Sequence, residues 1–209
     1  ADLEDNKQNK ILIGSFSNIV PFKGIHHLLK AVSILNKKGL GDKFEIHCVG
    51  KFMKEYDFYQ AWLKEEIKEE GIKNLKFHGF QSDPFPFFNT MDIVILPSVA
   101  KESLQIGERL YEVRGNEGLP RVLLEALSLS KAAIGTDIAG VKEIIINEEN
   151  GFLVPPNDGE AMAEAIEKYI NQTSLIQEHG KKSLVFARQN FSVENNVEKI
   201  LKVYEKLLD

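Results

Sequence analysis

Apolar residues occur in this chain as short, nearly continuous runs and not in strict alternation with polar residues. Five such runs are Ile11–Phe16, Phe44–Val49, Leu75–His78, Ile93–Leu96 and Ala132–Gly135, and a sixth lies in the segment GFLVPPND. Strands that are apolar on both faces are typical of parallel sheets covered by helices on both sides. The runs therefore predict about six buried parallel strands.

Segments with helical periodicity separate these runs. Apolar residues at helical spacing predict helices at 25–38 and 56–70, a short helix within 79–91, and a helix that carries the sequence RVLLEAL. A brief helix is predicted in IAGVKEIII, and three further helices, at 159–170, 174–190 and 193–208, complete the chain. Alternating buried strands and amphipathic helices predict the α/β class, as a doubly wound, Rossmann-like parallel sheet with helices at its C-terminal end.

Composition narrows the possible functions. The 209 residues suffice for one sizeable core, so 1–209 is interpreted as a single domain. A net charge of −5 disfavours a nucleic-acid partner, and the single cysteine, Cys48, excludes a disulfide framework or a thiolate metal cluster. The sequence contains no signal-like segment and no apolar run long enough to span a membrane, so we expect a cytoplasmic location. The polar start, ADLEDNKQNK, is typical of a linker and predicts one domain of a longer protein.

The candidate chemistry lies in the segment 116–137, NEGLPRVLLEALSLSKAAIGTD. Glu117 falls in a loop before the helix, Glu125 lies on that helix, and Pro120 suits its first turn. A helix start offers free N–H groups and a positive dipole end, which together attract phosphate. A sugar nucleotide fits this arrangement because it has hydroxyl groups at both ends and phosphates between them, although two solvated surface carboxylates are the commoner meaning of such a pair.

Eight segments of the sequence, in order, resemble the C-terminal, donor-binding half of retaining glycosyltransferases of family 4, which have the GT-B fold. They are PFKGIHHLLKA, FEIHCVG, LKFHGF, MDIVILPS, NEGLPRVLLEALS, GTDIAGVKEII, NGFLVPPND and FSVENNVEKILKVYEKLL. Glu117 and Glu125 match the paired glutamates of that family, E-x7-E. The variant EGLP, in place of the commoner EGFG, is similar to members that assemble bacterial exopolysaccharides.

The resemblance implies a role for each residue at a matching position. Lys23 would meet the donor diphosphate, and Glu125 would accept hydrogen bonds from the ribose hydroxyls. Glu117 would face the donor sugar and its anomeric centre, as the catalytic residue. The backbone N–H groups of Gly118 and Leu119 would hold a phosphate oxygen or a sugar hydroxyl.

Other residues have narrower interpretations. Phe80, after the third strand, either stacks on the nucleotide base or belongs to the core. Ser98 is interpreted as a strand-end cap, and Glu143 as a residue that holds loops together. No role is assigned to four histidines, because in the sequence they have neither the spacing of metal ligands nor a framing carboxylate. They are His26, His27, His47 and His179.

Four features depart from the pattern of the family. Asn18 occupies the donor-site position where the family often has an arginine, which weakens the expected phosphate clamp. Ser130 and Ala132 replace a glycine and a proline in the turn after the glutamate helix, so we expect this turn to avoid positive φ. Ala139–Gly140 replaces two glycines. The link 99–116 is about fifteen residues longer than usual, and it either covers the donor, meets the acceptor or is a mobile charged loop.

The implied activity is that of a hexosyltransferase. A sugar would move from a UDP- or GDP-sugar to a glycan, lipid or small-molecule acceptor with retention of configuration, without a cofactor or metal. The helix dipole, backbone N–H groups and Lys23 would stabilise the departing diphosphate. The acceptor would bind an N-terminal domain that these residues do not contain and that could touch a membrane peripherally, so the chain alone is expected to bind nucleotide without turnover.

Three alternatives remain open. Asn18 and the substituted turn are compatible with a nucleotide-sugar binding module whose catalysis is impaired. A sugar-nucleotide epimerase of related fold would need catalytic acid and base groups, and the sequence offers no convincing set. A dinucleotide-dependent oxidoreductase is disfavoured, because GSFSNIV and not G-x-G-x-x-G follows the first strand.

Overall fold

A six-stranded parallel sheet forms the centre of the protein, whose computed structural model describes residues 10–208. Its strands are β1 (Ile11–Phe16), β2 (Phe44–Val49), β3 (Leu75–Gly79), β4 (Ile93–Leu96), β7 (Ala132–Thr136) and β8 (Gly151–Val154), in the order β3-β2-β1-β4-β7-β8. The chain winds outward in one direction from β1 and in the other from β4. Doubly wound sheets open a crevice at such a switch point, beyond the carboxyl ends of the strands.

Seven α-helices surround the sheet within residues 10–208. They are α1 (Ile25–Lys37), α2 (Asp57–Glu69), α3 (Phe85–Thr90), α4 (Arg121–Ser128), α5 (Gly159–Asn171), α6 (Ser174–Phe191) and α7 (Val193–Leu208). The predicted doubly wound fold with C-terminal helices is confirmed.

The sheet is buried on both faces, which explains its uninterrupted apolar runs. Successive residues of a strand point to opposite faces, so Leu12 and Ile13 enter two different hydrophobic clusters. Val94 likewise packs with the α4 side, whereas Ile93 packs with α1 and α5, and both are fully buried. Most positions of the central strands are therefore apolar, and the buried exceptions include Glu45 and His47 on β2.

The long link after β4 is an antiparallel hairpin and not a mobile loop. It consists of β5 (Lys101–Ile106) and β6 (Arg109–Arg114), which within residues 10–208 pair only with each other. Leu104 and Val113 are buried in the cluster on the α1 side, and the ring of Tyr111 stacks on that of Phe58 at 4.2 Å. The hairpin thus packs firmly against the body of the domain.

Two local expectations from the sequence are wrong. The segment IAGVKEIII forms consecutive turns in place of a brief helix. The turn after α4 does use positive φ, because Ser130 adopts φ 57°. The reason is the way the helix ends: the N–H of Ser130 donates to Leu127 O and that of Lys131 to Ala126 O, both at 3.0 Å, a pairing that needs a left-handed residue at this position.

The last helix, α7, lies at the margin of the domain. Val197, Ile200, Leu201 and Tyr204 are all exposed on it, although they form the apolar side of an amphipathic helix. Among residues 10–208, no helix is both long enough and apolar enough to cross a membrane.

Candidate functional site

A cleft of about 590 Å³ opens where β1 and β4 diverge. Asn18 and Lys23 line it from the segment after β1, and Tyr56 lines it from the segment after β2. Glu117 and Arg121 line the opposite wall, in the loop before α4 and at the start of that helix. The cleft thus occupies the switch point of the sheet, and the predicted Asn18, Lys23 and Glu117 meet there.

Glu117 is a buried carboxylate that receives two hydrogen bonds on one oxygen. Lys23 Nζ donates to Glu117 Oε1 at 2.5 Å, and Ser98 Oγ donates to the same oxygen at 2.6 Å. No described residue donates to Oε2. The carboxylate is therefore fixed in orientation while one oxygen keeps its capacity to accept hydrogen bonds.

Ser98 does more than cap a strand. It is fully buried, its hydroxyl orients Glu117, and its carbonyl accepts a hydrogen bond from Thr136 Oγ1 at the end of β7. This serine therefore connects the carboxylate to two neighbouring strands of the sheet. The sequence alone did not reveal this role, because Ser98 and Glu117 are separated by the hairpin.

A close backbone contact sets the position of the Glu117 loop. Gly140 has φ +80°, and a Cβ at this residue would lie 2.0 Å from the carbonyl oxygen of Gly118 and 2.4 Å from that of Glu117. Only glycine has both the conformation and the space for this approach. The turns that replace the predicted helix at 138–146 thus bring a glycine against the loop that carries the carboxylate.

The start of α4 faces the same cleft. Pro120 is the N-cap residue, one position before the predicted first turn, and no side chain caps this helix within the described part of the chain. The first backbone N–H groups of α4 are therefore available to an anion. The exposed guanidinium of Arg121 lines the same cleft, with Glu125 as its ion-pair partner. Arg121 was missed in the sequence, where it is simply the first residue of an amphipathic helix.

Other predicted residues lie apart from the pair Lys23–Glu117. Glu125 is partly exposed on α4, 3.5 Å from Arg121, and Gly118 and Leu119 are exposed in the loop before the helix. Phe80 is 71% exposed, so the core interpretation is wrong and base stacking stays a prediction. Glu125, Gly118, Leu119 and Phe80 are all outside the set of residues that lines the cleft.

The prediction for Glu143 is wrong. Its side chain is exposed and makes no hydrogen bond or ion pair with any residue in the range 10–208. It cannot hold loops together, because that role requires a partner on another segment.

The statement that the histidines have no framing carboxylate is also wrong. Glu102, on β5, lies 2.8 Å from both His26 and His27, and Glu45 lies 2.9 Å from His47. Glu102 was hidden in the sequence, because it belongs to the hairpin and lies 75 residues from His27. Glu45, two residues before His47 on β2, was visible there, since alternate residues of a strand share a face.

Residues 3–184 match the protein family described as Glycosyl transferases group 1. The chain belongs to this family. It is 37% identical over 200 residues to the lipopolysaccharide core biosynthesis mannosyltransferase LpcC of Rhizobium leguminosarum bv. viciae, covering 94% of this chain and 51% of that protein. It is 28% identical over 212 residues to the capsular polysaccharide biosynthesis glycosyltransferase CapM of Staphylococcus aureus, covering 98% and 50%. The chain thus spans about half the length of these relatives.

Solved structures of similar fold agree with this membership. HepE of Anabaena, in complex with UDP, superposes with a TM-score of 0.80 at 23% identity, over 95% of this chain and 49% of that one. The C-terminal domain of LpcC from Francisella tularensis gives 0.73 at 23% identity, over 90% of each chain. The resemblance to the C-terminal half of a GT-B glycosyltransferase is therefore confirmed, and the matches favour it over the epimerase and oxidoreductase alternatives.

Proposed function

We propose that this group 1 glycosyltransferase chain is the donor-binding domain of a retaining hexosyltransferase. The observation that carries the proposal is the meeting of Lys23 and Glu117 in the cleft at the switch point of the sheet. A cation for the diphosphate and a buried carboxylate for the sugar lie side by side there. The donor would be a UDP- or GDP-sugar, and no cofactor is required.

Lys23 can pair with either Glu117 or the donor diphosphate in this mechanism. In the structure its ammonium is bound to Glu117. When a donor enters, its diphosphate would compete for Lys23 and for the N–H groups and Arg121 at the start of α4. These groups would then stabilise the negative charge on the departing nucleoside diphosphate, which is the electrostatic contribution that such a transfer needs.

Glu117 and Glu125 would hold the two ends of the donor. Glu117 Oε2 is available to accept hydrogen bonds from sugar hydroxyls, while Ser98 keeps the carboxylate in place. Glu125 would accept from the ribose hydroxyls, with Gly118 and Leu119 donating backbone N–H groups and Phe80 stacking on the base. Asn18 would contribute a neutral amide to the phosphate side of the cleft.

The rest of the active site would come from an N-terminal acceptor domain of the same protein. Two observations support this: the chain covers about half of its curated relatives, and α7 presents an apolar stripe that the other described residues leave exposed. The names of CapM and LpcC support a cell-surface polysaccharide as acceptor. The cytoplasmic location and a peripheral membrane contact through that domain remain predictions, as does the inactivity of this domain alone.

The test is calorimetric titration of this chain with UDP, GDP, ADP and NAD. We expect one nucleoside diphosphate to bind, and Lys23→Met to weaken binding by about 10-fold or more, because a charge-assisted hydrogen bond is lost. Gly140→Ala should also weaken it, by displacing the Glu117–Gly118 backbone. Gly39→Ala is the matched control, since Gly39 also has positive φ (+77°) but has open space around it. Binding of NAD alone, or of no nucleotide, would contradict the proposal.

A second measurement addresses the impaired-module alternative. The full-length protein, incubated with the sugar form of the nucleotide that binds, should transfer the sugar to an acceptor with retained configuration. Tight nucleotide binding without transfer to any polysaccharide or lipid acceptor would favour the impaired module.

A further inference from the structure

A second cluster of functional groups lies between the hairpin and the start of α1. The Nε2 atoms of His26 and His27 each face one carboxylate oxygen of Glu102, at 2.8 Å. The exposed fractions of the three side chains are only 7%, 14% and 9%. No residue that lines the cleft at Lys23 and Glu117 belongs to this cluster.

Two polar atoms of the cluster lack a hydrogen-bond partner. His27 Nε2 is hydrogen-bonded to Glu102 Oε2. His26 Nε2 and Glu102 Oε1 are as close, but they lack hydrogen-bond alignment, and both are buried without a hydrogen-bond partner among residues 10–208. Buried polar atoms are rarely left in this state, and each such atom calls for an explanation.

A contact on the far side of the His26 ring prepares this residue to act as a ligand. Tyr59, which is fully buried, places its hydroxyl 2.8 Å from His26 Nδ1 and so fixes the orientation of the ring. A hydrogen-bonded second nitrogen is the usual arrangement for an imidazole that ligates through the other one.

We propose that His26, His27 and Glu102 form a binding site for a divalent transition-metal ion of the Zn²⁺ class. One ligand atom from each residue lies within 4.8 Å of the others. Ligand bonds of about 2.0 to 2.2 Å place such atoms roughly 3.3 Å apart around a tetrahedral ion, so small side-chain rotations would suffice. Both histidines also line a cavity of about 460 Å³, which leaves room for a water molecule as a fourth ligand.

The ion would join two segments that the sheet itself does not connect. Glu102 belongs to β5, and α1 begins only two residues after Lys23. An ion at this site would therefore fasten the hairpin to the helix that follows the phosphate-side lysine. This inference stands on its own observations and does not depend on the proposed glycosyltransfer.

The chain provides its own comparison. Glu45, His47 and His78 form another cluster of two imidazoles and a carboxylate, with His47 2.9 Å from both Glu45 and His78. There the ammonium of Lys76 lies 2.8 Å from Glu45 Oε1. A cation already accompanies that carboxylate, so we expect no metal binding at this second cluster.

The experiment is a titration of the chelator-stripped, untagged chain with Zn²⁺ by calorimetry and with Co²⁺ by visible absorption. We expect one ion per chain, and an intense Co²⁺ ligand-field spectrum of the kind given by few-coordinate nitrogen and oxygen sites. Glu102→Gln and His27→Asn should each weaken Zn²⁺ binding on the order of 100-fold. His78→Gln and Glu117→Gln, which alter the other histidine cluster and the cleft, should leave it unchanged.

The outcomes separate a metal site from a simple polar contact. Absence of binding by the parent chain would overturn the proposal, as would a Zn²⁺ affinity that survives both Glu102→Gln and His27→Asn. A variant that loses binding must also keep the circular dichroism spectrum of the metal-free parent. If Glu102→Gln fails to fold, His27→Asn decides alone, because His27 is the more exposed of the two histidines and its loss leaves the buried His26–Tyr59 contact intact.

Discussion

At the scale of single residues, Glu117 has two opposing effects on a donor. Its carboxylate can accept hydrogen bonds from a sugar, but it also carries a negative charge beside the region proposed for the diphosphate. It further holds Lys23 in an ion pair that a phosphate must break. Binding and catalysis should therefore respond to its charge in opposite directions.

The substitution Glu117→Gln tests this. Neutralising the carboxylate removes its repulsion of phosphate and releases Lys23, so we expect UDP, or whichever nucleoside diphosphate binds, to bind about threefold to tenfold more tightly. In the full-length protein the same change should lower kcat by about 100-fold or more, because the carboxylate is lost from the reacting centre. Calorimetry and initial rates give the two quantities.

Glu143→Gln is the control for Glu117→Gln, since Glu143 is exposed and has no described partner; neither quantity should change. Weaker nucleotide binding by Glu117→Gln would mean that the carboxylate contributes more to the ligand than it repels, contrary to this account.

The sequence was sufficient to single out Lys23 and Glu117, but not the residues that position them. Lys23 and Glu117 follow from motif positions, and the fold then places them together across 94 residues. The roles of Ser98 and Arg121 depend on rotamers and on the direction of a helix start, which no local pattern specifies. Gly140 was noted only as a departure from the family, because its contact with Glu117 exists only in three dimensions.

At the scale of elements, the end of α4 shows a local conflict between sequence and structure. Ser130 takes a left-handed conformation, φ 57°, that favours glycine. Removing its Cβ should relieve about 1 to 2 kcal/mol of strain, against roughly 0.5 to 1 kcal/mol of extra chain entropy for glycine in the unfolded state.

We therefore expect Ser130→Gly to increase the free energy of unfolding by about 0.5 to 1 kcal/mol, measured by urea denaturation. The matched control is Ser128→Gly, two residues earlier at the last position of α4 and also exposed, which should lose about 0.5 kcal/mol. A destabilising Ser130→Gly would indicate that the serine side chain compensates for its backbone conformation.

The elements themselves were mostly predictable, and the exceptions have physical reasons. Continuous apolar runs identify buried strands well, because both faces of the sheet are covered. The hairpin lacks such runs, since only Leu104 and Val113 face the core strongly. Its signal was the two-residue turn Gly107–Glu108 between segments of partial alternation, which a search for long apolar runs passes over.

At the scale of the whole molecule, burial of histidines makes stability depend on pH. His47, His78 and His179 all have pKa values lowered first of all by burial. The folded protein therefore protonates these rings only at a lower pH than the unfolded chain, which protonates them near pH 6.5. Acidification below that value favours the unfolded chain, because it binds more protons.

His179 allows this to be tested at one site. It is buried on α6, its Nδ1 lies 2.8 Å from the hydroxyl of Tyr169, and the charges that face it are Glu178, Lys182 and Glu148. We expect His179→Gln to reduce the loss of unfolding free energy between pH 7.5 and 5.5, by at most about 1.4 kcal/mol per pH unit. Urea denaturation across that range, with EDTA present to remove metal effects at His26 and His27, gives the slope of the unfolding free energy against pH.

Tyr169→Phe is the control and should keep most of the parent's pH dependence, because it leaves the imidazole in place. An identical slope in His179→Gln and the parent would mean that His179 titrates alike in the folded and unfolded chain, and that burial does not hold it neutral.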